Sequence, residues 1–178
     1  MRLTVLLLSF FVASTAIAQT PSADLVLKEA TATAAKEKKN VFIIFHASWC
    51  VWCHRMDTSM NDKSVKAFFD DNYVIRHLTV LESPNKKNLE NPGAEEMMEK
   101  YNGKNQGIPY WLIFDNKGKF LFDSKRRPKG GGPESGDNTG CPASKPEVDY
   151  FVSVLKQTSK LTDKQLAVIY ALFRKNEH

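Results

Sequence analysis

Two cysteines separated by two residues, Cys50 and Cys53, are the side chains of this sequence that are best suited to chemistry. A thiolate is the nucleophile of thiol–disulfide exchange, and a second thiol one helical turn along can resolve the mixed disulfide that forms. The pair could instead form a static disulfide, or supply half of a zinc site, although the sequence has no second cysteine pair to complete one. These possibilities are distinguished by the helices and strands that position the two thiols.

A different interpretation comes from His54, which turns the pair into a literal C-x-x-C-H sequence, the attachment pattern of c-type haem. The cysteines would then form thioether bonds, and His54 would be an axial ligand of the iron. Methionines are the candidates for the other axial ligand, namely Met56, Met60, Met97 and Met98. A third interpretation is a redox-silent interaction module, which a Cys50→Ser variant without loss of function would favour.

Strands and helices alternate around the pair. A run of β-branched and aromatic residues over 41–45 is typical of a strand buried on both faces, and it leads directly to the cysteines. This alternation indicates an α/β fold, in which a Cys-x-x-Cys sequence is typical of a redox motif. Further strands are predicted over 73–80, 109–114 and 119–122. Helices are predicted over 24–39, from Cys50 to Met60, around 65–69, over 94–101, around 148–155 and over 162–175. The helix around 65–69 is expected to have its cap at Asn61 or Asp62, and the last helix begins with a capping box at Thr162.

The composition is that of one globular domain. The chain has 178 residues, of which 42% are hydrophobic and 25% charged, and its net charge is +5. The main basic cluster, residues 125–129, is short and has no interleaved aromatic side chains. We therefore expect this cluster to be a solvated surface, and we expect no nucleic-acid partner.

The first residues have the features of a secretory signal peptide. Met1 and Arg2 are followed by an almost wholly apolar run over 3–13, and residues 16–18 form a small-x-small cleavage pattern. The run is shorter than the roughly 20 residues that span a bilayer, although an uncleaved anchor is the alternative. We expect residues 1–19 to be removed and residues 20–178 to form an exported domain, periplasmic or secreted, without stable membrane insertion.

Two motifs in this setting resemble the thioredoxin superfamily, and the chain looks like an exported bacterial protein of that type. One is the segment from Trp49 to Cys53 between a strand and a helix, and the other is Gly107-Ile108-Pro109 at the start of a later strand. The resemblance implies a thioredoxin-like α/β fold with a central mixed sheet flanked by helices, extended here by an additional C-terminal helix. It also implies that Cys50, at a helix N-terminus, is the nucleophile and Cys53 the resolving thiol.

The resemblance also assigns supporting roles. Pro109 is expected to form a cis peptide bond beside the pair, while the backbone of Ile108 pairs with the substrate as an added strand. An edge proline is the alternative for Pro109. Four more residues are expected to shape or tune the site: Trp49, Val51, Trp52 and His54. For the two tryptophans the alternative is packing in the core, and for His54 it is a surface position without a role in the chemistry.

One position departs from the family pattern. The buried acid that is usual in the strand before the cysteines would fall at Ile44, so Cys53 needs another proton acceptor. His77 falls near a position where the family often has a lysine, and it is a possible proton acceptor. A partly exposed strand histidine without a catalytic role is the alternative.

The segment 124–145 is rich in glycine and proline, so we expect no regular element in it. The strand directions bring its start, and the polar loop 82–92, to the sheet edge that holds Cys50. Both are therefore expected to shape the substrate site, with a solvated insertion as the alternative for 124–145. Cys141, within this segment, is expected to be a spare exposed thiol, with transient pairing to Cys50 or pairing to another chain as the alternatives.

Together these features predict an exported thiol–disulfide oxidoreductase that acts on disulfide-containing proteins. Val51 and Trp52 offer no polar group to a Cys50 thiolate, which favours a reductase over an oxidant. A reductase outside the cytoplasm needs an electron donor, for which we expect a membrane thiol relay. Beyond the redox-active disulfide we expect no cofactor and no metal.

Overall fold

The sheet that carries the cysteines has four strands. A computed structural model describes residues 19–177, so the predicted signal peptide lies outside the described residues except for Gln19. β1 and β2 are parallel, whereas β3 is antiparallel to both β1 and β4, which confirms the expected mixed sheet. The strands, in the spatial order β2-β1-β3-β4, are β1 (Asn40–His46), β2 (Tyr73–Thr79), β3 (Tyr110–Phe114) and β4 (Phe120–Asp123).

Helices cover both faces of the sheet. The alternation of side chains along β1 divides the apolar core, since Phe42 and Ile44 contact one helical layer while Ile43 and Phe45 contact the other. The first layer consists of α2 (Val51–Met60), α3 (Lys66–Asp70), α5 (Lys145–Thr158) and α6 (Asp163–Phe173), and the second of α1 (Ala23–Glu37) and α4 (Ala94–Lys100). β1 is buried on both faces and ends at His46, and α2 begins at Val51, so the cysteines lie where the chain leaves the sheet.

The additional C-terminal helix predicted from the sequence is α6. Thr162 and Gln165 form the expected capping box at its start, and a 3-10 helix, Arg174–Glu177, follows its end. Most other boundaries lie within one or two residues of the prediction. The exceptions are α5, which extends three residues beyond the expected range at each end, and α3, where Val65 rather than Asn61 or Asp62 occupies the cap position. No helix in residues 19–177 is long and apolar enough to cross a membrane.

The segment 124–145 is more ordered than its composition predicts. Two short strands, β5 (Lys125–Arg126) and β6 (Asp137–Asn138), pair antiparallel within it, so the expectation of no regular element is wrong. The reason is a buried ion pair at the base of this ribbon, which we name the 125–138 ribbon. The guanidinium of Arg127 donates two hydrogen bonds, of 2.7 and 2.6 Å, to the carboxylate of Asp123, which is 1% exposed.

The basic cluster 125–129 is only partly a solvated surface, so that expectation is wrong for two of its side chains. Lys125 is 1% exposed, and its Nζ donates a hydrogen bond of 2.8 Å to the carbonyl oxygen of Glu134 across the 125–138 ribbon. Arg127 donates a further bond of 2.8 Å to the carbonyl oxygen of Pro133. Two of the cations therefore hold the ribbon together instead of facing the solvent.

Cys141 is buried, which corrects the expectation of an exposed thiol. It is 6% exposed and packs in the apolar core with residues of α5 and α6. The Nδ2 of Asn176 donates to its Sγ at 3.5 Å. Burial raises the pKa of the Cys141 thiol to about 12. The side chain therefore remains a thiol near neutral pH and lacks the reactivity of a thiolate.

Candidate active site

Cys50 and Cys53 form a disulfide at the start of α2. Their sulfur atoms are 2.03 Å apart. Cys50 is the N-cap residue of the helix, where its Sγ accepts a hydrogen bond of 3.1 Å from the Cys53 N–H. Free N–H groups and the helix dipole favour negative charge at this end of a helix. A Cys50 thiolate in the reduced protein is therefore in a stabilising position, as thiol–disulfide exchange requires.

The segment Gly107-Ile108-Pro109 lies against the disulfide. The Ile108–Pro109 peptide bond is cis, and the carbonyl oxygen of Ile108 lies 3.6 Å from the Sγ of Cys50. Ile108 also packs against Ala47 and both cysteines. The fold thus brings the two sequence motifs together at one edge of the sheet.

Exposed apolar side chains surround the buried disulfide, and we call Trp49, Val51 and Trp52 the apolar rim. They are 56%, 70% and 46% exposed, whereas Cys50 is 3% exposed. Both tryptophans therefore lie at the surface rather than in the core. Exposed apolar groups gathered in this way are typical of surfaces that bind other molecules.

Two polar contacts hold the tryptophans of the apolar rim. The Nε1 of Trp49 donates a hydrogen bond of 2.8 Å to the carbonyl oxygen of Leu81. The guanidinium carbon of Arg55 lies 4.7 Å from the ring centroid of Trp52, a cation–π contact. Arg55 in turn donates a bond of 2.9 Å to the carbonyl oxygen of Asn176, so the C-terminal segment supports the rim.

Glu82 is a site residue that the sequence analysis missed. Its carboxylate accepts hydrogen bonds of 2.6 Å from the Ser48 N–H and 2.9 Å from the Ser48 hydroxyl, and the residue is 4% exposed. The bond from the Ser48 N–H is the main cause that lowers the pKa of Glu82. Glu82 opens the 82–92 loop that we expected at this sheet edge, and it anchors the turn before Cys50. Its partner lies far along the chain, so no local pattern could have revealed the contact.

His77 lies on the same face of the sheet as Ile44, its register partner in β1. Its Nε2 is 2.8 Å from the Oδ1 of Asp57, which lies in α2 one turn beyond Cys53. Asp57 is a second group that the sequence analysis missed. Ile44 is 1% exposed in the apolar core and has no group that can accept a proton. The polar pair formed by His77 and Asp57 lies next to it.

The residues considered as haem ligands have other surroundings. The Nε2 of His54 is 3.0 Å from the carbonyl oxygen of Ser48, in the turn that precedes the disulfide. The four methionines are packed in the two apolar layers, Met56 and Met60 on one face of the sheet and Met97 and Met98 on the other. Between residues 19 and 177, no three histidine, cysteine or acidic side chains are grouped so that they could hold a metal ion.

One family model and several solved structures are similar to this chain. A family model described as thioredoxin-like matches residues 23–116, which is more than half of the chain. No curated protein sequence matches. Among solved structures, the disulphide isomerase of Xylella fastidiosa Temecula1 is similar at 20% identity, with 98% of this chain and 100% of that chain covered and a TM-score of 0.48.

Two other solved structures are similar over most of the chain. The DsbH oxidoreductase has 21% identity, coverage of 89% of this chain and 96% of that chain, and a TM-score of 0.43. The oxidised C-terminal domain of DsbD from Neisseria meningitidis has 18% identity, coverage of 78% and 98%, and a TM-score of 0.45. By the family model that matches it, this chain, with its Cys50–Cys53 pair, belongs to the thioredoxin-like family.

Proposed function

We propose that this protein is a thiol–disulfide oxidoreductase that reduces disulfide bonds of other proteins outside the cytoplasm. The observation that carries the proposal is the position of the Cys50 sulfur, at the N-cap of α2 and 3.6 Å from the carbonyl oxygen of Ile108. The helix terminus favours the thiolate. The neighbouring backbone offers an edge to which an extended substrate can add as a strand.

The reaction consists of two exchanges. The Cys50 thiolate attacks one sulfur of the substrate disulfide, whose S–S bond breaks, and the other substrate sulfur leaves as a thiolate and takes a proton. Cys53 then loses its proton and attacks the Cys50 sulfur, so that the Cys50–Cys53 disulfide forms and the second substrate thiol leaves. Two electrons pass from the protein to the substrate, and a dithiol donor restores them.

We assign His77 as the acceptor of the Cys53 proton. Ile44 offers no base, and the carboxylate of Asp57, 2.8 Å from the His77 imidazole, stabilises the charge that the ring gains with the proton. Asp57 also lies in the same helix as Cys53, one turn beyond it, so the hydrogen bond to His77 joins the imidazole to the helix that carries the resolving thiol. The role of Asp57 is to orient and charge-stabilise His77.

The residues between the cysteines support the proposed direction of electron flow. Val51 and Trp52 supply no polar group that would hold a Cys50 thiolate beyond the helix terminus itself, so the reduced form is less stabilised and the couple more reducing. The signal-peptide features of residues 1–19 support export. The partners are then disulfide-containing proteins, bound at the apolar rim, and a membrane thiol relay as electron donor.

Insulin reduction by the purified protein with a thiol donor tests the activity. We expect Cys50→Ala to abolish it and Cys53→Ala to accumulate a mixed disulfide through Cys50, while Cys141→Ser, the matched control, retains the wild-type rate. Activity that survives Cys50→Ala contradicts the proposal and favours an interaction module. A Soret band in the absorbance spectrum would favour the haem interpretation.

Two further measurements test direction and location. A reduction potential of the Cys50–Cys53 couple at or below about −220 mV supports a reductase, and a potential of about −120 mV indicates an oxidant. Export predicts a mature N-terminus at Gln19 or Thr20 when the full chain is expressed in bacteria and the periplasmic fraction is sequenced. A cytoplasmic protein that retains residue 1 contradicts export.

A further inference from the structure

The side-chain amide of Asn138 joins the 125–138 ribbon to the loop that contains Ile108 and Pro109. Its Nδ2 lies 3.2 Å from the carbonyl oxygen of Gln106, 3.3 Å from that of Gly107 and 3.0 Å from that of Pro109. Its Oδ1 accepts a hydrogen bond of 3.0 Å from the Gly140 N–H. Because a backbone N–H can only donate, the Gly140 contact fixes which side of the amide is oxygen and directs the NH₂ group at the loop.

The backbone around Asn138 is fixed independently of this amide. Asn138 pairs with Lys125 in the ribbon, and both the N–H and the hydroxyl of Thr139 donate to the carbonyl oxygen of Ser124, at 2.8 and 2.9 Å. The indole Nε1 of Trp111 donates to the carbonyl oxygen of Gly140 at 3.1 Å. The amide is therefore presented by a rigid support.

The contacts of Asn138 leave the two backbone groups of Ile108 for another partner. The carbonyl groups of Gln106, Gly107 and Pro109 are directed at the amide, whereas that of Ile108 faces the Cys50 sulfur at 3.6 Å. Within residues 19–177 the Ile108 N–H forms no hydrogen bond. An N–H and a carbonyl group on one residue are what an added strand pairs with.

We propose that Asn138 is a positioning residue that holds the Gln106–Pro109 loop so that Ile108 can pair with an extended polypeptide carrying the disulfide. This inference rests on the proposed function and adds to it a residue, outside the two sequence motifs, that positions the substrate-binding loop. It makes the 125–138 ribbon a part of the substrate site. A small disulfide cannot pair with the backbone of Ile108, so its rate of reduction should not depend on the Asn138 amide.

Asn138→Asp is the most direct variant, since it keeps the shape of the side chain and an oxygen for the Gly140 N–H. It removes both N–H donors and places a carboxylate oxygen against the loop carbonyls, which repel it. The control is Asp137→Asn, the reverse exchange at the neighbouring exposed residue of β6. Initial rates are measured with an unstructured peptide that contains a disulfide and with hydroxyethyl disulfide.

We expect Asn138→Asp to raise the KM for the peptide by about tenfold, with kcat unchanged. The rate with hydroxyethyl disulfide and the reduction potential of the Cys50–Cys53 couple should stay at wild-type values, and Asp137→Asn should behave like wild type. An unchanged peptide KM overturns the proposal. Equal losses with both substrates, or a shifted potential, overturn it as well, because they place the effect of Asn138 on the cysteines.

Two additions keep the test decisive. If near-ultraviolet circular dichroism shows that Asn138→Asp is not folded, Asn138→Ala takes its place with the same expected result. In the Cys53→Ala background, the Ile108 N–H should exchange with solvent more slowly when Cys50 carries the peptide than when it carries mercaptoethanol, and equal exchange overturns the pairing. Wild-type protein that reduces neither substrate overturns the proposed function itself, which distinguishes that failure from failure of the inference.

Discussion

The imidazole rings of His46 and His77 lie 4.9 Å apart, on the face of the sheet that α2 covers. His46 is the last residue of β1, and its backbone leads through Ala47 to the turn that holds Cys50. Its Nε2 is 3.3 Å from the Thr79 hydroxyl. His46 is therefore connected through its backbone to the turn before Cys50, and its ring contacts the His77 side chain.

The stability of the protein should fall in mild acid because of His46. Burial is the main cause that lowers the pKa of His46 below its ordinary value of 6.5. The charged groups around it are two histidines, which lower the pKa further, and two acids, which raise it: His77, His54, Asp57 and Glu82. The unfolded chain therefore binds the proton more readily than the folded protein, so the free energy of unfolding decreases as the pH falls through about 6.5.

Urea unfolding at pH about 7.5 and about 5.5 measures this effect. The decrease between the two values should be smaller in His46→Gln than in wild type, because the variant has no ring to protonate. The control Arg76→Gln, at an exposed position of β2 that is not among the groups acting on His46, should keep the wild-type decrease. Identical pH dependence in wild type and His46→Gln would contradict the assignment.

Loss of the His77 imidazole should slow the second exchange. In His77→Ala, Cys53 loses its proton to solvent, so release of a preformed mixed disulfide should be slower by about tenfold or more, with the difference shrinking at high pH. Stopped-flow release across a pH series measures the rate. Arg76→Ala, at the preceding exposed position of β2, is the control. A pH–rate profile that His77→Ala leaves unchanged reduces His77 to a structural residue.

A carboxylate at the position of Ile44 should destabilise the fold. Ile44 is 1% exposed among apolar side chains, and burial of a charged group there should cost about 3 kcal/mol or more at neutral pH. Ile44→Val, which removes one methylene group, should cost about 1 kcal/mol. Denaturant unfolding compares the two variants. A loss in Ile44→Asp no larger than that in Ile44→Val would mean that a charge at this position is solvated.

Removal of the Arg127 guanidinium should leave a buried charge unpaired. In Arg127→Met, Asp123 loses both hydrogen bonds from the guanidinium and keeps the bond of 2.9 Å from the Lys125 N–H. The loss should be about 3 kcal/mol or more. The double variant Asp123→Asn/Arg127→Met should regain part of it, because it removes the charge. Arg126→Met, an exposed neighbour, should change the stability by less than about 0.5 kcal/mol. Equal stability of the single and double variants would contradict a buried unpaired carboxylate.

Cys141 should not react in the folded protein. Because burial raises its pKa to about 12, Ellman's reagent should find no reactive thiol in the folded oxidised protein and should label Cys141 after denaturation in guanidinium. Cys141→Ser should leave the reduction potential unchanged. Rapid labelling under native conditions would show that this part of the core opens readily.

The parts of the fold that could be predicted are those encoded by neighbouring residues. The apolar run before Cys50 specifies a buried strand, and the pattern of Thr162 and Gln165 specifies a helix start, because the residues that form each pattern are only a few positions apart in the sequence. The motif around Pro109 could be placed beside the cysteines only through the family resemblance. These local signals are sufficient for the sheet and for the two thiols.

The parts that could not be predicted depend on contacts between distant residues. Glu82 bonds Ser48, and Asn138 bonds the loop around Gly107, but neither pairing leaves a period or a motif in the sequence. The ribbon was obscured further because its glycines and prolines have the composition of an irregular loop. Its order comes from Asp123 and Arg127, whose spacing indicates an ion pair in a helix but carries no such meaning in a turn.

The burial of Cys141 has a consequence for folding in the oxidising compartment to which we propose that the protein is exported. In the unfolded chain each of the three thiols can oxidise with either of the others. Asn176, which covers Cys141, lies far beyond it in the sequence, so the thiol becomes shielded only when the C-terminal segment has docked. During vectorial emergence of the chain, Cys50 and Cys53 appear first, and their short separation makes ring closure between them entropically the easiest. The order of emergence thus favours the Cys50–Cys53 disulfide during synthesis, and the burial of Cys141 preserves that pairing once the protein has folded.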